Sequence, residues 1–167
     1  MASVGVGHQA GPVASQPPGR GSDRLLVVVG FDGSEASYRA LDAARRLISG
    51  RIGIIEIVYV AHVPVGVEMF PYADVDTRSG FDVAARQFPE AIRARLAGLE
   101  QRWHFQRRDG LVVHEIMAAA EELSCSYGDH ASVVIVIGSA MHALHQVVGS
   151  VPVALVRHAK CPVVVVP

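Results

Sequence analysis

Gly138-Ser139 closes an uninterrupted apolar run, Ser132–Ile137, and Gly149-Ser150 follows at the head of a segment ending Arg157-His158-Ala159-Lys160-Cys161-Pro162. Glycine lets backbone approach a bound group closely, and a helix opened by Gly149-Ser150 presents unpaired N–H groups that attract phosphate. Asp32 stands just beyond another apolar run, Leu25–Val29. Its carboxylate either contacts a ligand or accepts N–H bonds that stabilise its own turn. This is the chemistry of a nucleotide site rather than of a catalyst. No nucleophile elbow, P-loop lysine or pair of catalytic carboxylates occurs, and Gly30-Phe31-Asp32-Gly33 lacks the third glycine of a dinucleotide fingerprint. His142 and His145, three apart, would share a helical face and hold a metal only with a further ligand. None is supplied nearby, so both are read as solvent-facing and no metal is expected. His62 reads as a core histidine, and His158 suits the negative end of a helix dipole. Cys125 and Cys161 have no paired spacing and read as buried or inert thiols.

The elements that position these residues follow from hydrophobic period. Leu25–Val29 is a buried strand; Ser34 is a helix N-cap, with Ala36, Ala40, Leu41, Ala44, Leu47 and Ile48 at helical spacing before Gly50. Ile52–Val63 is a second strand, trimmed at Gly53. Pro64–Arg78 reads as an irregular excursion. Phe81, Ala85, Phe88, Ile92, Leu96, Leu99 and Trp103 build one apolar helical stripe, in which Pro89 should kink the helix or start a new segment. A short strand is expected over Trp103–Arg107, a helix over Val112–Leu123, a polar loop over Ser124–His130, and strands at Ser132–Ile137 and Val163–Val166. Runs of continuous Val and Ile belong in a sheet covered on both faces. The expectation is a single α/β domain: five strands, mostly parallel, doubly wound, with helices on both faces.

Composition bounds the rest. With 167 residues, 50% hydrophobic and 19% charged, the chain has material for one sizeable core. A net charge of -1 and a pI near 6.7 leave no concentrated basic surface for nucleic acid or acidic lipid. Arg102, Arg107 and Arg108 are read as solvated surface. Residues 1–22, rich in Gly, Pro, Ser and Gln, are expected to be a disordered tail ahead of a folded domain at 23–167. The tail lacks the pattern of a signal peptide, and no run reaches the ~18 apolar residues of a membrane span. A cytoplasmic location is expected.

Four segments together resemble the universal stress protein family, over Arg24–Pro167: LLVVVGFDGSEASYRALDAA at 25–44, IVYVAHV at 57–63, the VVIVIGS to VVGSV block at 133–151, and LVRHAKCPVVVV at 155–166. The resemblance implies the five-stranded doubly wound fold and homodimers through the last strand, Val163, Val164, Val165 and Val166, paired antiparallel between two chains. One branch of the family binds ATP through Gly-x-x-Gly, nine residues, then Gly-Ser or Gly-Thr. Carried over by position, Asp32 would meet the adenine or ribose side and the backbone of Val63 the adenine. Gly138 and Ser139 would begin the phosphate loop, and Gly149, Ser150 and Val151 would close it. Three departures stand out: Met141 replaces the second glycine, Pro152 stands where a hydroxyl is common, and ten residues rather than twelve separate Gly138 from Gly149. The resemblance, so qualified, implies a non-catalytic stress-response or regulatory dimer whose nucleotide cleft has drifted from the ATP-binding form. The alternatives are an ATP-binding member with a variant loop, and a small-ligand or metal-binding module using His142 and His145.

Overall fold

The computed structural model describes residues 24–61, 86–99, 102–128, 131–139 and 149–167. In chain order the elements are β1 (Arg24–Phe31), α1 (Glu35–Ile48), β2 (Gly53–Ala61), a helix α2 over residues 86–95, β3 (Trp103–Asp109), α3 (Val112–Tyr127), β4 (Ala131–Gly138), α4 (Ser150–His158) and β5 (Val163–Val166). The strands form one sheet in the order β3-β2-β1-β4-β5, and every pairing is parallel. The expected doubly wound α/β architecture is the architecture found.

Strand residues alternate between two faces, so the central strand feeds two cores. Leu25, Val27, Val29 and Phe31 meet Ala40, Leu41, Ala44 and Ile48 of α1 together with Ile92 and Leu96 of the α2 region. Leu26 and Val28 meet Ile116, Ala119 and Ala120 of α3 and Leu155 of α4. α1 starts where Ser34 accepts the Ser37 N–H at 3.2 Å, and Ser37 returns its hydroxyl to the Ser34 carbonyl at 2.8 Å. α2 is latched to α1 by the Arg95 fork on Asp42, at 2.8 and 2.6 Å, which holds the Asp42 carboxyl below its usual range. Arg45 also donates to the carbonyls of Arg95 and Ala97, where α2 ends and its turn begins.

The boundaries differ from expectation in instructive ways. The strand expected over Trp103–Arg107 does open at Trp103, opposite Ile55, so Trp103 belongs to it and not to the helical stripe, and β3 runs on two residues further to Asp109, opposite Ala61. Its mixed basic and aromatic pattern fits an edge strand with one open side, a setting that does not demand alternation. α3 continues through Ser124–Tyr127, where a polar loop was expected. The Ser126 hydroxyl donates to the Glu122 carbonyl at 2.7 Å, so this polar side chain is satisfied inside the helix, which ends at Gly128, at φ +63. Residues 86–95 are helical straight through Pro89; Phe81 and Ala85 lie outside the described residues, as do the tail, the Pro64–Arg78 excursion and His62. β2 begins at Gly53, the expected trim point, where a Cβ would sit 2.1 Å from the Leu25 carbonyl oxygen.

One carboxylate is caught inside this packing. Glu56, opposite His104 in the β2–β3 ladder, is buried, and loss of hydration pushes its carboxyl above its ordinary 4.5 despite His104 at 3.5 Å and the nearby Arg108. A raised acid binds more protons folded than unfolded, so its contribution to stability falls as pH rises above about 4.5. Glu56→Gln removes that term. Its stability relative to the parent chain, measured by urea unfolding across pH 4 to 7, is expected to improve as pH rises above about 4.5 and to level off once Glu56 is ionised in the folded parent; a pH-independent difference would count against the buried-charge account.

Candidate functional site

In open α/β sheets ligands bind at the carboxyl ends of the strands where the strand order reverses. Here that point lies between β1 and β4, because β1 pairs with β2 on one side and with β4 on the other. A cavity of about 300 Å³ opens there. Its wall from β1 and the following turn includes Phe31, Asp32 and Ser34; α4 contributes Ser150, Val151 and Pro152, following Gly149. The floor is apolar, with Gly30, Val58, Ile116 and Ile137. Bare backbone at Gly30 is needed for that floor, since a Cβ would meet the Ile137 and Ile116 methyls at 2.5 and 2.8 Å.

The β1–α1 turn is built from its own polar groups. Asp32 accepts the Ser34 N–H at 2.9 Å, and Gly33 takes φ +81, a conformation that favours glycine. Of the two roles open to Asp32, the turn-stabilising one is therefore observed, and its exposed carboxylate also faces the cavity. On the opposite wall, Gly149 caps α4 without a side-chain bond, and the Val153 N–H reaches the Gly149 carbonyl at 3.3 Å. Pro152 has no N–H, which leaves Gly149, Ser150 and Val151 as the amides at this helix start without an intrahelical partner. The first residue of α3, Val112, also lines the cavity, and its helix too begins without a side-chain cap. Two uncapped helix N-termini thus direct partial positive charge at one space.

Of the residues singled out by sequence, Asp32, Gly138, Gly149, Ser150 and Val151 are brought together around this cavity. Val63, Met141, His142 and His145 lie outside the described residues. Gly138 lines the cavity, yet a Cβ there would lie 2.3 Å from the Ala36 carbonyl carbon and oxygen. Its lack of a side chain admits the first turn of α1 against β4. Ser139 gives its N–H to the Val166 carbonyl at 2.7 Å, and its hydroxyl is buried with no hydrogen-bond partner. The floor residues Ile116 and Ile137 and the α3 start at Val112 were missed, because nothing in sequence marks which apolar side chains meet under a cleft. The one available signal was Gly110-Leu111 before α3, a second loop-to-helix junction.

The universal stress protein family model matches residues 26–167. The chain belongs to that family. Among solved structures, a universal stress protein from Lactobacillus plantarum shares the fold at a TM-score of 0.65 and 20% identity, covering 88% of this chain and all (100%) of that one. A universal stress protein in complex with cAMP matches at 0.58 and 24% identity, over 85% of this chain and 96% of that one. One from Archaeoglobus fulgidus in complex with dAMP matches at 0.51 and 18%, over 87% and 98%. No curated protein matches. At these identities the structural likeness shows the fold alone.

For this family member the packing role of Gly138 is measurable. Gly138→Ala forces α1 away from β4 and is expected to cost about 1–3 kcal/mol in urea unfolding, the range for an overpacked contact. An unchanged midpoint would show that α1 shifts freely and that Gly138 serves the cavity instead.

Proposed function

We propose that this universal stress protein is a non-catalytic stress-response or regulatory dimer that senses a nucleotide, in a cleft better suited to one phosphate than to three. The observation that carries this reading is the start of α4, where Pro152 brings no N–H and the unpaired amides beside the cavity are those of Gly149, Ser150 and Val151. A few amides at one helix start, with the helix dipole, suit a single phosphate, and a triphosphate asks for several more charge-assisted contacts. The two relatives solved with cAMP and dAMP carry ligands with one phosphate each. An apolar floor beside the exposed Asp32 carboxylate offers a base an apolar seat and a ribose an acceptor. ATP remains the second reading through the family's variant loop. The histidine-based metal reading has no observation in its favour. No helix among the described residues is long and apolar enough to cross a membrane, and a cytoplasmic location belongs to this proposal.

The dimer rests on β5, which among the described residues pairs with β4 alone and leaves its other edge open. An exposed apolar edge is a liability unless something pairs with it. Val164 is 36% exposed on that strand, and Val153 and Val156 on α4 are 37% and 59% exposed. A two-fold pairing of β5 with its copy would satisfy the edge and cover Val164.

Titration calorimetry with AMP, cAMP and ATP tests the cleft. A monophosphate is expected to bind at least as tightly as ATP; losing two charge-assisted contacts, at about 1.5–3 kcal/mol each, weakens the triphosphate by about a hundredfold or more relative to a full site. Micromolar ATP binding with AMP far weaker would overturn the single-phosphate reading. For the dimer, Val164→Lys should convert the protein to monomers in light scattering at tens of micromolar. A variant that stays dimeric would place the interface elsewhere.

A further inference from the structure

Arg102 stands apart from Arg107 and Arg108, its neighbours in sequence. Arg107 pairs with Asp109 and Arg108 with Glu122, both on exposed carboxylates. Arg102 instead joins Arg24 and Arg51 around a second cavity, of about 360 Å³, with Ile52, Gly53 and Ile54 beside it. Arg24 and Gly53 are the first residues of β1 and β2, so this cavity sits at the amino end of the sheet, opposite the candidate nucleotide cleft.

Two of the three guanidinium groups are held in place by neutral partners. Arg102 donates to the carbonyls of Gly53 at 3.0 Å, Ile48 at 3.2 Å and Arg51 at 2.5 Å. Arg24 lies over the Tyr127 ring, 5.2 Å from its centre. Carbonyls and an aromatic face orient a guanidinium without neutralising it. None of Arg24, Arg51 and Arg102 has a carboxylate partner among the described residues, whereas Arg93, Arg95, Arg107, Arg108 and Lys160 each do. Three uncompensated positive charges around one concavity focus a positive potential, and guanidinium forks match phosphate oxygens in pairs. Holding two of them beforehand lowers the ordering cost of binding.

We propose that the Arg24–Arg51–Arg102 cavity binds a phosphate group, carried either by inorganic phosphate or by a small phosphomonoester. The site is independent of the nucleotide cleft in residues and position. Amide NMR titrations of the full chain with inorganic phosphate and with glycerol 3-phosphate, against chloride at matched ionic strength, test it. Saturable shifts are expected at Leu25, Ile52 and Gly53. Arg24→Ala and Arg51→Ala should each weaken binding about tenfold, the scale of one lost charge-assisted contact, while Arg157→Ala, exposed on α4, should leave it unchanged. Arg102 is left intact because it holds the turn carbonyls. Tighter binding of the ester would identify an organic phosphate as the ligand, and equal affinities the ion itself; both support the site. Shifts confined to Gly149 and Ser150, equal shifts with chloride, or an equal loss in Arg157→Ala would overturn it.

Discussion

β1 is a strand with neither a free edge nor a free face. β2 and β4 bond it on both sides, and every residue from Leu25 to Phe31 is buried. A position so enclosed accepts apolar side chains of fitting volume and little else, since any polar group would lose its hydration without a partner. From this the rest of the architecture follows. Alternate residues of β1 supply two cores at once, so helices must cover both faces. With β2 on one flank and β4 on the other, the connections leave in opposite directions, and the gap between them at the carboxyl ends becomes the cavity.

The residues at that gap serve packing and site together. Gly138 reads in sequence as an opening for a ligand, but the space a side chain would take is occupied by the Ala36 backbone. Ser139 couples the site to the open edge of the sheet, because its amide bonds the end of β5 at 2.7 Å while its hydroxyl stays buried. A shift of β5 is thereby felt at the residue next to the cavity. In the proposed dimer, pairing of β5 and ordering of the cleft would share this one hydrogen bond.

The fold was legible wherever burial was complete. Leu25–Val29, Ser132–Ile137 and the helical spacing from Ala36 to Ile48 are read easily because enclosed positions leave the sequence few choices. Legibility failed where one side faces water. β3, an edge strand carrying Arg107 and Asp109, tolerates polar residues that obscure its period, and α3 outran its expected end because its last turn, with Ser124, Cys125 and Ser126 exposed, accepts polar residues without leaving the helix. At the site, Asp32, Gly149 and Ser150 were found from turn and helix-start chemistry, which is local, and Val151 from the family resemblance. The Ile116 and Ile137 floor and the grouping of Arg102 with Arg24 and Arg51 depend on strands meeting across the sheet, and no local pattern encodes that.

The two walls of the cleft are held with different firmness. On the β1–α1 side, Asp32 fixes the Ser34 amide, Ser34 caps α1, and the Phe88 ring lies where a Cβ on Gly33 would come within 2.6 Å of it. Phe88 stands edge-on to Phe31 and Tyr59, each at 5.2 Å between ring centres, and the Arg95–Asp42 fork ties its helix to α1. Edge-to-face aromatic pairs add specific geometry to their buried area, so this wall has one arrangement in which all its contacts are made. The α4 wall lacks such ties: Gly149 has no side-chain cap and Ser150 is exposed. The α4 amides are held instead by the burial of Pro152 and, one turn on, Leu155. In the proposed reading the aromatic-backed wall seats the base and ribose end, and the unpaired amides at the start of α4 select the phosphate.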